Sequence, residues 1–321
     1  MCKIAFIFPG QGSQYIGMGA EMAKSFPQAR RIFEEADDCL GMKLSEIIFF
    51  GSEDDLKMTE ITQPAVVATS VACLEVLRGY DLEPAAMAGL SLGEYSALIG
   101  AGSLKFADTL PLVQKRGRYM QEAVPPGVGG MAAIMGLERP LVIEACRQAS
   151  EVGVVEPANY NAPDQIVISG EIPAIRRACE IAKGMGARRA VELPVSVSFH
   201  CRLLKSVEPL LARDLDKIEV RPASLPVVAN INAEYVHTPD AIRRALTLQV
   251  SNAVLWQDSV ERLINDGFDT FVEVGPGKSL SGLMKKINPN VRAHQVEDLK
   301  TLDKVVSALC GGDGECSAAG R

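Results

Sequence analysis

One short stretch, Gly89-Leu90-Ser91-Leu92-Gly93, constrains this chain more than any other. An apolar run, Ala85-Ala86-Met87-Ala88, leads into it and is too short for a helix of its own. A helical pattern, Tyr95-Ser96-Ala97-Leu98-Ile99, leads out and ends at Gly100 and Gly102. Strand, sharp turn and helix are the setting in which G-x-S-x-G becomes a nucleophile elbow. Ser91 must then occupy a strained turn. Side chains two positions to either side would collide as strand and helix close up, so glycines 89 and 93 leave room. The turn presents the hydroxyl at a helix N-terminus, where free backbone N–H groups and the helix dipole favour a developing negative charge.

The 321 residues exceed the size at which one hydrophobic core stops growing, which predicts a main core plus a subdomain. A net charge of −7, with no block of lysines or arginines, excludes a nucleic-acid-binding reading. No apolar run is long enough to cross a bilayer. The longest, Val66 to Leu77, carries Glu75, so no membrane association is expected. The segment Lys3 to Phe8 is too short for a secretory signal and breaks at Pro9. The eight cysteines are scattered without a C-x-x-C pair, which argues against a disulfide framework or a metal site. Reduced thiols in a cytoplasm are the expectation.

Lys3 to Phe8 reads as a buried strand. The loop after it, Gly10-Gln11-Gly12-Ser13-Gln14-Tyr15-Ile16-Gly17, invites a dinucleotide-binding reading, but its third glycine is misplaced for G-x-G-x-x-G. The alternative is that this loop lies beside the elbow and offers the Gln11 N–H to an oxyanion. Residues 20–50 carry helical periodicity, Pro64 to Leu77 reads as a buried helix, and Phe106 to Glu122 as a helix bearing Lys115, Arg116 and Arg118. Those three cations form either a solvated face or a set of which one grips an anion in the pocket, and composition does not choose among them.

Pro125-Pro126-Gly127-Val128-Gly129-Gly130 marks a boundary. Beyond it the pattern predicts a strand over Met131 to Leu137, a helix over Pro140 to Ala149 and strands over Gly153 to Asn159 and Gln165 to Ser169. A helix over Ile172 to Gly184 and a strand over Arg188 to Pro194 follow. The order βαββαβ is that of a ferredoxin-like module. Later come a strand over Leu225 to Asn230, a helix around Ile242 to Gln249 and a last strand from Thr270. The Gly-Lys-Ser at Gly277 lacks the first glycine of a phosphate-binding loop. Residues 310–321 are expected to fray.

A serine hydroxyl needs a base, and three histidines are available. His237 lies in a polar loop and His294 beside Arg292 in a charged segment, both expected at the surface. His200 ends an apolar stretch, where the tip of a strand could point into the site, and elimination favours it as the base of Ser91.

Several stretches together resemble one family, the malonyl-CoA:acyl carrier protein transacylases and the acyltransferase domains of polyketide and fatty acid synthases. They are Phe8-Pro9-Gly10-Gln11-Gly12-Ser13-Gln14, the Ser91 elbow, Arg116-Gly117 with Met120-Gln121, Asn159-Tyr160-Asn161, Phe199-His200-Cys201, Gln249 with Trp256, and Glu273-Val274-Gly275-Pro276-Gly277. The resemblance implies an α/β-hydrolase-like parallel-sheet catalytic domain (residues 1–124 and 196–309) with an inserted ferredoxin-like subdomain (125–195). It implies Ser91 as nucleophile, His200 as base, the main-chain carbonyl of Gln249 orienting the imidazole, and the N–H groups of Gln11 and Leu92 as oxyanion hole. Arg116 would hold a malonyl carboxylate as a bidentate pair, with Met120, Phe199 and Asn161 also binding substrate. The implied substrates are malonyl-CoA and the phosphopantetheine thiol of holo acyl carrier protein, with no bound cofactor or metal, and a monomer is expected.

Leu92 after the nucleophile and Phe199 before the histidine resemble the malonyl-selective subgroup; methylmalonyl-selective domains tend to carry glutamine and serine there. Leu90, Ser198, Asp164 and Ala253 depart from the family's usual histidine, proline, glycine and proline. Fatty acid synthesis is the leading reading. A free-standing acyltransferase for polyketide modules, or a serine hydrolase or thioesterase, are the alternatives.

Overall fold

The computed structural model describes residues 3–125, 127–195 and 197–310. The strands, in chain order, are β1 (Ile4–Phe8), β2 (Ala86–Gly89), β3 (Gly129–Met135), β4 (Val155–Ala162), β5 (Gln165–Glu171), β6 (Arg189–Glu192), β7 (Val227–Val228), β8 (Tyr235–Val236), β9 (Thr270–Val274) and β10 (Arg292–Val296). They form a six-stranded sheet, β10-β9-β1-β2-β7-β8, and a four-stranded sheet, β4-β5-β3-β6.

The larger sheet is parallel except for the β7–β8 pair. Its central strands are apolar on both faces, as a sheet covered on both sides requires. Side chains alternate along β1: Phe6 and Phe8 enter one core with Met87, Val272 and Val274, while Ala5 and Ile7 enter another with Ala86, Ala88 and Phe271. The helix expected from Pro64 begins earlier, at Thr59, and keeps Pro64 inside it. Pro64 lacks the N–H that an interior position uses, yet the helix runs on through it. This helix, Thr59–Leu77, is the one described helix long and apolar enough to cross a membrane, and it is buried in the core.

The smaller sheet is antiparallel and carries the helices Arg139–Ala149 and Ile172–Gly184 over one face around its own apolar cluster. The observed order is βαββαβ, with β3 central between β5 and β6. Several contacts tie this sheet to the rest, among them the following. Tyr160 N–H donates to Val254 O at 2.9 Å and Val254 N–H to Ala158 O at 2.8 Å. Arg139 Nη1 meets both carboxylate oxygens of Asp258 at 2.8 and 3.0 Å while its guanidinium stacks 3.7 Å over the Tyr160 ring.

Two expectations need correction. His294 is not an exposed surface residue; it lies in β10, half-buried, on a strand whose sequence, Arg292-Ala293-His294-Gln295-Val296, has no apolar run to announce it. The strand over Leu225 to Asn230 contracts to Val227–Val228, because Pro226 cannot donate to a ladder and the chain turns beyond Ala229, whose carbonyl accepts from Ala233 N–H. The expected fraying of residues 310–321 lies, beyond Cys310, outside the described residues.

Candidate active site

Ser91 stands at the tip of the turn between β2 and the helix Gly93–Gly100, with φ 53°. A Cβ on Gly89 would lie 1.9 Å from the Gly93 carbonyl carbon, and one on Gly93 would lie 2.1 Å from Phe8 O. Only hydrogen fits at either position. The turn is also gripped from the far side of the site: Ser91 N–H donates to Asn230 Oδ1 (2.6 Å), Asn230 Nδ2 donates to Gly89 O (2.7 Å) and Gln249 Nε2 donates to Ser91 O (2.9 Å).

Ser91 Oγ lies 2.6 Å from His200 Nε2, and His200 Nδ1 lies 2.8 Å from the Gln249 main-chain carbonyl. A carbonyl only accepts, so Nδ1 carries the proton and Nε2 presents its lone pair to the serine hydroxyl. Burial, helped by the nearby Arg116 charge, pushes His200 down to about 3. The imidazole is therefore neutral through the physiological range, the state a base requires. His200 does not sit at a strand tip, as its apolar lead-in suggested. It occupies a turn with φ 58°, after β6 has ended and before the short helix Arg202–Val207.

Of the three cations on the helix Phe106–Glu122, Arg116 is the one that faces inward. Lys115 and Arg118 reach outward to Asp214 and Glu60. Arg116 is 1% exposed and donates from Nη1 to Gln63 Oε1 (2.8 Å) and from Nη2 to Gln249 Oε1 (2.9 Å), with Nη2 also 3.3 Å from Ser91 Oγ. Its direct hydrogen-bond partners at Gln63 and Gln249 are neutral amides, so no carboxylate is paired directly with the guanidinium beside the serine. Glu94, fully buried, accepts from Gln249 Nε2 (2.8 Å) and Asn230 N–H (3.0 Å) behind it.

A cavity of about 860 Å³ opens over Ser91, and Gln11, Leu92, Arg116, Asn161, Phe199 and His200 line it. Among the described hydrogen bonds, neither the Gln11 nor the Leu92 backbone N–H donates. Phe199 packs against Met131, Ala133, Ala158 and Val167 of the smaller sheet, and Asn161 carries a buried, unpartnered Oδ1. Met120 does not line the cavity. It is fully buried one turn beyond Arg116, where its Sδ accepts from Gln63 Nε2 at 3.7 Å, and so reaches the site only through the glutamine that holds Arg116. His237 is exposed and does not line the cavity. The Ala253 departure leaves the Gln249 carbonyl in place on His200, and Ser198 spends its hydroxyl on Gly170 O. Gln63, Glu94 and Asn230 are the residues that motif reading passed over. The available signal was their setting: an amide inside the apolar helix, a carboxylate in a helix with no exposed face, and an amide at the end of a buried run.

A covered parallel sheet with a serine at a strand-to-helix elbow and a histidine within hydrogen-bond reach is the arrangement found in α/β enzymes that work through a serine. The family model described as "Acyl transferase domain" matches residues 5–302. The chain is 44% identical to the malonyl CoA-acyl carrier protein transacylase of Bacillus subtilis, over 96% of this chain and 98% of that one. The crystal structure of the transacylase of the same name from Clostridium perfringens superposes with TM-score 0.94 at 44% identity, covering 97% and 98% of the two chains. A malonyl-transacylase solved in complex with a type II PKS acyl-carrier protein superposes with TM-score 0.93 at 42% identity, covering 97% of this chain and 100% of that one. The protein belongs to the malonyl CoA-acyl carrier protein transacylase family and is an acyltransferase.

Proposed function

We propose that this enzyme moves a malonyl group from malonyl-CoA to the phosphopantetheine thiol of an acyl carrier protein, for fatty acid synthesis, by way of a malonyl-Ser91 ester. The observation that carries the reading is the convergence on one oxygen: Ser91 Oγ has His200 Nε2 at 2.6 Å and the Arg116 fork at 3.3 Å. A hydrolase of neutral esters has no use for a buried arginine at that distance, whereas a substrate carboxylate does.

Ser91 Oγ attacks the thioester carbonyl carbon as its proton passes to His200 Nε2. The Gln249 carbonyl steadies the imidazolium through Nδ1–H. The N–H groups of Gln11 and Leu92 take the oxyanion. Collapse breaks the C–S bond, and the departing CoA sulfur takes the proton from His200. The phosphopantetheine thiol then repeats the sequence in reverse, giving its proton to His200 and releasing Ser91. Arg116 pairs with the malonyl carboxylate throughout. Leu92 and the Phe199 ring narrow the acyl end, and discrimination against one added methyl is about 1–3 kcal/mol. On this reading the enzyme is a cytoplasmic monomer with no resident cofactor, and residues 125–195 form a subdomain that walls the cavity.

The test is intact mass after incubation with malonyl-CoA, acetyl-CoA or methylmalonyl-CoA. A malonyl adduct is expected on the wild type, absent from Ser91→Ala and passed on to added holo carrier protein. Arg116→Ala should lower malonyl loading about 10²-fold more than acetyl loading, the loss of a buried charge-assisted pair. Steady release of CoA with no adduct would instead make the protein a hydrolase.

A further inference from the structure

Glu94 is completely buried on the first turn of the elbow helix, and the reaction above leaves it unused. Both of its hydrogen bonds converge on Oε2, from Asn230 N–H and Gln249 Nε2, while Oε1 is buried with no partner. A carboxylate at that place dictates how the Gln249 amide faces. Its nitrogen turns to Glu94, so its oxygen turns to Arg116 Nη2. The same glutamine donates to Ser91 O and, through its main chain, holds His200 Nδ1. One residue oriented by Glu94 thus touches the nucleophile's backbone, the base and the anion-binding arginine.

The charges face each other across that amide. The cation looking toward Glu94 is Arg116, from the helix Phe106–Glu122; Tyr95 is the titratable neighbour on its own helix, and His200 faces Arg116 from the turn before Arg202–Val207. The segments carrying Asn230 and Gln249 bring only amides to it. Arg116 and Glu94 are therefore each other's counter-ion at one amide's remove, and a second anion arriving at Arg116 competes for the same positive charge. We propose that Glu94 is a positioning residue that balances Arg116 while the site is empty and takes up one proton from solvent when a substrate carboxylate docks on Arg116. The proton comes from water or a buffer acid, ends on the unpartnered Oε1, and returns to solvent when the acyl group leaves.

Burial raises the Glu94 carboxyl to about 7, against the opposing pull of Asn230, Gln249 and Arg116. A bound carboxylate raises it further. Well below that pH Glu94 holds its proton whether the site is empty or full, and nothing is exchanged. Between that pH and the higher one at which the occupied site lets the proton go, uptake approaches about one proton per carboxylate bound, and affinity for a carboxylated acyl group falls by up to about tenfold per pH unit.

This inference rests on the malonyl reading, and the experiment separates the two. Malonyl-CoA binding to Ser91→Ala is measured by calorimetry at about pH 8 in two buffers of different ionisation enthalpy, with acetyl-CoA alongside. The expected result is uptake approaching one proton for malonyl-CoA and none for acetyl-CoA. Adding Glu94→Gln, which keeps an acceptor for both hydrogen bonds, should abolish the uptake. In the Ser91-containing enzyme, Glu94→Gln should flatten the rise of the malonyl-CoA KM with pH. Equal uptake for both thioesters, uptake that persists in Glu94→Gln, or no uptake at all would overturn the role of Glu94. The measurement with intact Glu94 decides this even if Glu94→Gln does not fold. A wild type that forms no malonyl ester would overturn the reading beneath it.

Discussion

Ser91 and His200 both stand on left-handed backbone, at φ 53° and 58°, yet the two turns are held by opposite means. A non-glycine residue there costs about 1–2 kcal/mol, so something must impose it. At Ser91 the imposition is local. β2 and the elbow helix pass so close that Gly89 and Gly93 admit no side chain, and the backbone between them has one way to turn. At His200 no such crowding acts. Its turn is held by partners far along the chain: the ring by the Gln249 carbonyl and Ser91 Oγ, and the flanking Ser198 and Cys201 by Gly170 O and Ser169 Oγ. A constraint made of neighbours in sequence is visible as a motif, and one made of neighbours in space is not.

The most severe way to break this contrast is Gly89→Ala. A methyl 1.9 Å from backbone cannot be relieved by a rotamer change, so the cost should exceed about 3 kcal/mol, above ordinary overpacking. Little soluble, folded protein should be recovered. Gly184→Ala is the matched control: it ends a helix, nothing lies within 4 Å of its added Cβ, and it should be neutral or slightly stabilising in thermal unfolding. A folded Gly89→Ala with normal acylation would mean that the elbow is not sterically imposed.

His200→Ala probes the other turn. The protein should fold, because the constraint there is spread over many contacts, while acylation of Ser91 slows about 10²–10⁴-fold. A pH profile sharpens the point. The folded imidazole titrates at about 3 instead of the ordinary 6.5, so single-turnover acylation should stay flat between about pH 5 and 7. The stability sign follows from the same shift. The unfolded chain gains a proton on this ring below 6.5 while the folded one does not. The folded state therefore has its full His200 contribution above 6.5 and loses it progressively as pH falls toward 3. An acylation rate that declines with an ordinary imidazole titration would place the base in a wetter setting than this one.

The same contrast explains what could be read in advance. The elbow, the helix Phe106–Glu122 and the helix Ile172–Gly184 lie where composition and periodicity put them, because burial on one face or crowding at one turn leaves a pattern over consecutive residues. β10 and the inward turn of Arg116 left none. Three cations on one helix look alike until the fold supplies Gln63 and Gln249 to one of them. Family likeness, not periodicity, singled out Arg116 and the Gln249 carbonyl. It also suggested Met120, which the structure sets behind Gln63 rather than in the cavity. Glu94 was on view beside the motif, but its partners Asn230 and Gln249 are more than a hundred residues away, and a buried carboxylate has a function only once its neighbours are known.

The smallest expected effect tests whether the smaller sheet belongs to the chemistry or only to the wall of the cavity. It meets the rest of the molecule at Val254, a few residues beyond Gln249, at the Arg139–Asp258 pair, and where Ser169 and Gly170 of β5 hold Cys201 and Ser198. Both side chains of that pair are about a third exposed, at 38% and 33%, so solvent screening discounts it. Arg139→Ala should cost no more than about 2 kcal/mol in thermal unfolding, ion pair and stacking on Tyr160 together. Acylation should change by less than about threefold, because the His200–Gln249 contact is carried by the helix Pro239–Gln249 and not by the clamp. The KM for malonyl-CoA is where a loosened wall should register, since Asn159, Asn161 and Val167 of β4 and β5 line the cavity. If Arg139→Ala instead slowed acylation as much as His200→Ala, the orientation of the base would depend on docking of the smaller sheet. The remote constraints holding His200 would then extend across the whole molecule.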